Sequence, residues 1–218
     1  HVKPERDQNK RKSYRDNWWI FGEARKDWRA SQVGQTYFIA TVETMKHRLF
    51  LQFADEIMPD NKLIGIALMG VDSLGVLSSR LHTLWAMAAG SNLGVGNDPV
   101  YVKTRCFETF PFPELTDEQQ PYIGKLAEKI DQHRKTQQAA HDKLTLTGMY
   151  NVLEKLRKEE TLTYKEKTIY EDGLVGILRE LHDDLDRAVF NAYGWDDLAE
   201  KLVGLPGATT PYPEKSEA

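Results

Sequence analysis

The stretch Leu63-Ile-Gly-Ile-Ala-Leu68, followed closely by Leu74-Gly-Val-Leu-Ser-Ser-Arg-Leu-His-Thr-Leu-Trp-Ala-Met-Ala-Ala89, decides the fold class. The first run is short and continuously apolar, which indicates a strand that is buried on both faces. The second run repeats apolar residues three and four positions apart, which predicts one amphipathic helix. We expect Asp72 and Ser73 to cap the start of this helix and Gly90 to end it. The change from a continuously apolar run to apolar residues at helical spacing predicts a mixed α/β fold.

Two more strands are predicted on the N-terminal side of this pair. Residues 37–42 and residues 48–53 are rich in β-branched and aromatic side chains, as strands commonly are. A turn over residues 44–48 joins them. Further upstream, residues 17–31 predict a short aromatic helix. Residues 1–16 are polar and basic, and they form either a solvated lead-in or an arm that contacts a DNA backbone.

The pattern becomes helical after Thr116. The predicted helices cover residues 117–147, 148–158, 164–192 and 196–203. Three prolines among small and charged residues predict a disordered tail over residues 204–218. The expected organisation is an α/β (α+β) domain over residues 1–115, with a small mixed sheet and flanking helices, followed by an all-α domain over residues 116–203.

Residues 90–113 carry the most unusual side chains of the chain. The pattern predicts a glycine-rich loop and then a strand near residues 100–107. Recognition residues concentrate on loops held by rigid elements, and amide, carboxylate and basic side chains read the edges of different bases. The alternative is a plain connecting loop. The candidate base-reading residues are Asn92, Asn97, Asp98, Tyr101 and Lys103.

Basic side chains elsewhere in this half are candidates for contact with DNA phosphates. Lys46, His47 and Arg48 occupy the predicted turn, where a cation can remain exposed and reach a phosphate. The alternative is a turn that is merely solvated. Arg105 shares one face of the predicted strand with Lys103, and it is either a phosphate contact or a structural ion-pair partner.

The net charge of −4 hides an asymmetry along the chain. Residues 1–111 hold 15 Lys and Arg against 12 Asp and Glu, a balance of +3. Residues 112–218 hold 14 against 21, a balance of −7, and the two values sum to −4. The N-terminal half can therefore approach phosphates, whereas the C-terminal half would be repelled by them.

Bulk features exclude several classes of protein. No apolar run reaches the roughly 18 residues of a membrane-spanning helix, and no signal peptide opens the chain. A single cysteine, Cys106, forms no internal disulfide and suits a reducing compartment. We expect a cytoplasmic protein. The first methionine is Met45, which suggests a fragment of a longer chain.

Enzyme signatures are absent from the sequence. The glycines at 90, 94 and 96 match neither a phosphate-binding loop nor a dinucleotide-binding fingerprint. The histidines show no metal-ligand spacing, and we expect His82 to be a hydrogen-bonded packing residue. Asp183, Asp184 and Asp186 are expected to form an exposed helical edge. We therefore predict neither catalytic residues nor a metal site.

Several short motifs in a fixed order resemble those of one family, the Mme-type single-chain restriction–modification enzymes and related adenine-N6 DNA methyltransferases. The matching residues lie in their target-recognition domain. They are Asn17-Trp-Trp-Ile-Phe-Gly-Glu23, Phe38-Ile-Ala-Thr41, Lys46-His-Arg-Leu-Phe50, Gly75-Val-Leu-Ser-Ser79 with His82 and Trp85, Gly94-Val-Gly-Asn-Asp-Pro-Val-Tyr101 and Phe107-Glu-Thr-Phe-Pro-Phe-Pro113. The resemblance is close over about residues 3–115 and looser to about residue 203.

This resemblance implies a DNA-recognition part of a larger bacterial enzyme that is associated with the nucleoid. In the family, an upstream Rossmann-like domain of the same polypeptide binds S-adenosylmethionine and methylates adenine N6. The family's Asn-Pro-Pro-Tyr/Phe motif, its glycine-rich cofactor motif and its nuclease motif are absent here, so we expect no cofactor in this chain. The base-specifying segment of the family corresponds by position to residues 92–103.

We therefore predict a module that binds double-stranded DNA sequence-specifically and does not itself catalyse methyl transfer. Its partners would be duplex DNA and the upstream methyltransferase domain, with no membrane. The parent enzyme would be a site-specific adenine methyltransferase, with or without endonuclease activity. The alternatives are a protein-interaction region of a larger assembly and an enzyme with an unrecognised site.

Overall fold

A computed structural model describes residues 1–20, 26–68, 70–93 and 98–206, without the side chains of Lys26 and Asp98. The chain is mixed α/β and about 55% helical. It divides into two compact units, residues 1–36 and residues 37–218. None of the helices in the described ranges is both long and apolar enough to cross a bilayer.

Among its described residues the first unit contains three short helices, α1 (Val2–Asp7), α2 (Lys12–Asp16) and α3 (Lys26–Ser31). The polar lead-in predicted over residues 1–16 therefore contains helical structure, although no side chain of α1 or α2 is buried. Of the aromatic helix predicted over residues 17–31, only α3 is helical among the described residues, and residues 21–25 lie outside them.

The sheet of the second unit has three antiparallel strands. Strand β1 (Tyr37–Val42) lies between β2 (Leu51–Ala54) and β3 (Leu63–Ile66). The prediction of a mixed sheet is wrong because the chain returns from β1 to β2 through residues 43–50 without a crossover helix. The prediction of a doubly buried strand at β3 is also wrong, because β3 is an edge strand and β1 has the buried central position.

The helical stretch predicted over residues 74–89 is two helices, α4 (Val71–Ser78) and α5 (Arg80–Ala89). Ser79 separates them because its backbone is extended and its hydroxyl accepts from the backbone NH of His82. Asp72 and Ser73 lie in the first turn of α4 rather than at its cap. Gly90 ends α5 as predicted.

The prediction of a strand near residues 100–107 is wrong, because strand β5 ends at Val100 and a helical turn follows it. Strand β4 (Ser91–Leu93) pairs with β5 (Asp98–Val100), and the helical turn α6 (Lys103–Cys106) follows. The backbone NH groups of Arg105 and Cys106 both donate to the carbonyl of Val102, which closes this turn. Because Cys106 is buried against Ala86 of α5, the chain cannot continue as an extended strand.

Five further helices follow in the part of the chain that the structure describes, up to residue 206. They are α7 (Gln119–Ala140), α8 (Leu146–Arg157), α9 (Tyr164–Asp172), α10 (Val175–Ala192) and α11 (Asp196–Leu202). The single helix predicted over residues 164–192 is interrupted at Leu174, whose backbone is left-handed with φ 42°.

The helices and the α/β part share their packing. One core cluster contains Leu49, Val76 and Phe110 together with Ile123 of α7 and Leu178 of α10. A Cβ at Gly75 of α4 would lie 2.5 Å from Ile123, so glycine is required where α4 and α7 touch. Residues 37–115 and 116–203 therefore do not have separate cores, and the domain boundary near residue 115 stays a prediction.

Residues 204–206, the first part of the predicted tail, lie within the described structure. The side chain of Arg80 donates to the carbonyls of Leu205, at 2.8 Å, and Pro206, at 3.2 Å, so residues up to 206 are held against α5. Residues 207–218 lie outside the described residues.

Asp186 fastens α10 to the start of α5. Its Oδ1 accepts from the backbone NH of Arg80 at 2.6 Å, and its side chain is buried rather than part of the predicted exposed edge. Burial raises the pKa of Asp186 to about 6, although the hydrogen bond from Arg80 acts in the opposite direction. Asp183 is also engaged, since it pairs with the buried Arg157 at 2.8 Å.

Replacing Asp186 with Asn should remove a pH-dependent contribution to the free energy of unfolding. The folded-state pKa exceeds the unfolded one, so Asp186 contributes fully below about pH 4 and this contribution is lost as the pH rises through about 6. Urea denaturation from about pH 4 to about pH 7 should show wild type losing stability relative to Asp186→Asn by on the order of 3 kcal/mol. A constant difference between the two proteins would contradict this.

Candidate nucleic-acid interface

An exposed hairpin follows helix α5. Strands β4 and β5 pair antiparallel, with Ser91 opposite Val100, Asn92 opposite Pro99 and Leu93 opposite Asp98. All three residues of β4 are exposed. The residues that join the strands, 94–97, lie outside the described part of the chain. The predicted glycine-rich loop is thus a hairpin wherever it is described.

Gly90 allows the hairpin to start where it does. A Cβ at this position would lie 2.6 Å from the carbonyl oxygen of Ala86 and 2.7 Å from that of Val100. Both neighbours are backbone atoms, which cannot move aside easily. Glycine is therefore needed here to let the second strand of the hairpin pass close to the end of α5.

The second strand of the hairpin is fixed to the segment that follows β1. The backbone NH of Tyr101 donates to the carbonyl of Glu43 at 2.8 Å, and that of Met45 donates to Pro99 at 3.4 Å. Thr44 and Val100 form an isolated β-bridge. The first strand is exposed, while the second is held by the body of the unit.

Arg48 reinforces this attachment from inside the protein. Its guanidinium donates to the carbonyl of Val42 at 2.5 Å, to the hydroxyl of Thr41 at 3.2 Å and to the carbonyl of Pro99 at 3.3 Å. The same group lies over the ring of Tyr101, 5.0 Å from its centroid. One side chain therefore connects the central strand of the sheet to the hairpin.

Burial controls the electrostatics of this cluster. It lowers the pKa of Arg48 to about 10, which leaves the guanidinium charged at neutral pH. His82 Nε2 lies 2.8 Å from the hydroxyl of Tyr101. Burial, and secondarily the charge of Arg48, lowers the pKa of His82 to about 3, so the imidazole is neutral. The predicted role of His82 as a hydrogen-bonded packing residue is confirmed.

Aromatic rings close the cluster on the side of the Phe-Pro run. Phe110 packs edge-on against His82, with ring centroids 4.4 Å apart, and Phe50 packs against Tyr101 at 5.7 Å. The hydroxyl of Tyr193 donates to the carbonyl of Pro111 at 2.6 Å. The run over residues 107–113 is thus held against His82 and against Tyr193, the residue that follows α10.

Three of the predicted contact residues are buried. Tyr101, a predicted base reader, is only 2% exposed, and its side chain cannot meet a base edge from this position. His47 is 2% exposed and Arg48 is 8% exposed, so the expectation of an open, solvated turn is wrong for both. The physical reason is that residues 43–48 pack between the hairpin and helix α8.

Other predicted contact residues remain at the surface. Asn92 on β4 is exposed, and so are Lys46, Lys103 and Arg105. Lys103 and Arg105 do not share the face of a strand as predicted, because they lie two positions apart in α6, where neighbouring side chains diverge.

Two candidates cannot be placed. Asn97 and the side chain of Asp98 lie outside the described part of the chain. Contact with DNA stays a prediction for every residue of both predicted sets, including those whose positions the structure describes.

Sequence reasoning missed Asn151 of helix α8. Its Oδ1 lies 2.7 Å from Lys46 Nζ, which donates to it, and 2.8 Å from His47 Nε2. The only local signal is a polar residue between the buried Tyr150 and Val152. A contact across more than a hundred positions of sequence leaves no periodic pattern to detect.

The chemical groups near the hairpin and α6 indicate what this surface can bind. Among the described residues, no group of three or more His, Cys, Asp and Glu side chains is arranged to hold a metal ion. Burial raises the pKa of the Cys106 thiol, which keeps it protonated and poorly nucleophilic. The hairpin and α6 present an amide and two cations to solvent.

Comparison with known proteins gives no relative for this chain: no family model, no curated protein and no solved structure matches it.

Replacing Arg48 with Met should destabilise the protein by about 2–4 kcal/mol, because it removes the buried hydrogen bonds to Thr41, Val42 and Pro99. Replacing the exposed Arg105 with Met is the matched control and should change stability by less than about 0.5 kcal/mol. Chemical denaturation measures both. Equal, small effects would show that Arg48 is not a structural anchor.

Proposed function

We propose that this chain is the sequence-specific duplex DNA recognition part of a larger S-adenosylmethionine-dependent adenine-N6 DNA methyltransferase. The observation that carries the proposal is the hairpin of β4 and β5, which has an exposed first strand and a firmly held second strand. The ordered motifs that resemble the target-recognition domains of Mme-type enzymes supply the link to methyl transfer. Cofactor binding and catalysis belong to the parent enzyme.

The shape of the hairpin suits the major groove. That groove of B-DNA admits a two-stranded β-ribbon and presents a distinct set of donors and acceptors for each base pair. Asn92 is exposed on the first strand, and an Asn amide can bond both N6 and N7 of adenine. A held second strand limits the conformational entropy lost on binding, which favours selective contact.

Cations next to the hairpin would set its register on the duplex. Helix α6 begins three residues after β5 ends, and it exposes Lys103 and Arg105. Contacts from such side chains to phosphates position a protein on DNA without reading sequence. In this proposal both residues therefore contact DNA phosphates, although the sequence also made Lys103 a candidate for base reading.

The excess of positive over negative side chains in the N-terminal half lies in the first unit. Residues 1–36 contain nine Lys and Arg against five Asp and Glu, a balance of +4, whereas residues 37–111 contain six against seven, a balance of −1. Lys10, Arg11 and Lys12 are exposed. In this proposal the first unit supplies sequence-independent attraction to phosphates, and the hairpin supplies selectivity.

Neutralising Lys103 and Arg105 together, as Lys103→Gln/Arg105→Gln, should weaken DNA binding and make it less sensitive to salt. Each lost phosphate contact removes about 0.9 from the slope of log affinity against log salt, so the double variant should lose up to about 2. Fluorescence anisotropy with a labelled duplex at several salt concentrations, from about 50 mM to about 200 mM, measures the slope.

The matched control is Lys165→Gln/Lys167→Gln on helix α9, which removes two exposed cations from the acidic half of the chain. This variant should leave the slope unchanged. If the two double variants show the same salt slope, α6 does not contact the DNA phosphates. If the folded wild-type chain binds no duplex at about 50 mM salt, the proposed function is wrong.

A protein-contact role for the helical half is the second candidate, and one observation favours it. Tyr170, Leu174 and Ile177, where α9 meets α10, leave large apolar side chains exposed, and Leu174 does so from a left-handed backbone. Such a site suits contact with another domain of the parent enzyme. A chain that is folded but fails to bind duplex at low salt would favour this candidate.

A further inference from the structure

The connector, defined as residues 43–48, lies between the hairpin and helix α8. It follows β1 and contains no helix, and its one β-bridge, at Thr44, pairs with the hairpin rather than with the sheet. The backbone NH of its first residue, Glu43, donates to the carbonyl of Lys62 at 3.1 Å. Its position therefore depends on the elements on either side of it.

The connector holds the hairpin through the second strand. Glu43 accepts from Tyr101, and Met45 and Arg48 both donate to the carbonyl of Pro99. These bonds come from three different residues and reach Pro99 of β5 and Tyr101, the residue that follows β5. A displacement of the connector would therefore carry β5 with it, or break these bonds.

Helix α8 holds the connector from the other side. The Oδ1 atom of Asn151 lies within hydrogen-bonding distance of both Lys46 Nζ, at 2.7 Å, and His47 Nε2, at 2.8 Å. The ring of His47 also lies 6.0 Å from that of Tyr150. Met45 packs against the core cluster to which Tyr150 belongs.

Helix α8 is a rigid support at this point. Tyr150 and Val152, on either side of Asn151, are buried. The hydroxyl of Tyr150 bonds His182 of α10 at 2.6 Å and accepts from Arg134 Nε of α7 at 2.7 Å. Three helices therefore fix the backbone that presents the Asn151 amide.

We propose that Asn151 is a positioning residue through which the helical half sets the placement of the hairpin, and with it the sequence selectivity of DNA binding. The part that concerns DNA rests on the proposed function. The acidic helical half thereby contributes to recognition without touching the nucleic acid. Removing the Asn151 acceptor takes away one hydrogen bond from Lys46 and one contact from His47, which weakens the link between α8 and the connector and lets the hairpin sample more than one placement.

Hydrogen–deuterium exchange tests the mechanical part without DNA. In Asn151→Ala, the backbone amides of residues 98, 100 and 101 should exchange about 5- to 10-fold faster than in wild type. The reason is that a smaller free energy of local opening raises the exchange rate. Asn151→Asp keeps the acceptor oxygens and should retain wild-type protection. Asn191→Ala removes another surface amide, whose partners are Gln119 and Asp196, and should not change the hairpin.

A second variant covers the case in which Asn151→Ala does not fold. Lys46→Met removes one of the two donors from an exposed position, so it should fold and produce a smaller change of the same sign in residues 98–101. Unchanged exchange in every folded variant at position 46 or 151 would overturn the proposal.

Selection from a randomised duplex pool tests the functional part. Wild type should enrich a preferred sequence, and Asn151→Ala should lose at least about 5-fold in its affinity ratio between that duplex and a scrambled one. The salt dependence should stay the same, because no phosphate contact is removed. Asn151→Asp and Asn191→Ala should keep the ratio.

The outcomes separate the two proposals. If wild type enriches a sequence and Asn151→Ala keeps the full affinity ratio, this inference is wrong and the proposed function stands. If wild type binds no duplex, the proposed function fails, and the claim about DNA selectivity fails with it. In that case the exchange data alone decide whether Asn151 positions the hairpin.

Discussion

The structure depends above all on the buried guanidinium of Arg48. A single planar group bonds the central strand through Val42 and Thr41, bonds the hairpin through Pro99 and lies over the ring of Tyr101. Burying a cation is costly unless its donors are satisfied, and here carbonyl and hydroxyl oxygens accept from the guanidinium. The charge survives because burial lowers its pKa only to about 10. An Arg that looks like a surface contact in the sequence thus defines where the hairpin lies.

A second buried cation organises the helical half in a similar way. Arg134 of α7 donates to the hydroxyl of Tyr150, on α8, and to the carbonyl of Phe50, at 3.0 Å. His182 of α10 bonds the same hydroxyl, and burial holds its pKa well below the usual value, so it is neutral. The polar clusters around Arg48 and Arg134 therefore connect the sheet, the hairpin and the helices to one another. The frame they create leaves β4 as an exposed strand.

Local patterns in the sequence predicted much of the fold and little of the site. The faces of α7 and α10 follow from apolar spacing, and β1 follows from its β-branched and aromatic residues. The breaks at Ser79 and Leu174 were missed because apolar spacing continues across them while the backbone turns. Burial of His47 and Arg48 could not be foreseen, since it depends on Asn151 and Pro99, which are distant in sequence. Turn composition indicates where cations occur, and only packing determines which of them reach solvent.

The central claim is that a held hairpin is the surface that meets DNA, while the helical half supports it. The most direct measurement is an amide NMR titration of the isotopically labelled chain with the duplex that it enriches from a random pool. The account predicts that shifts concentrate in residues 91–93 and 98–105 and on the basic first unit, with little change at the surface of α9 and α10. Shifts concentrated on α9 and α10 while the hairpin signals stay in place would contradict it.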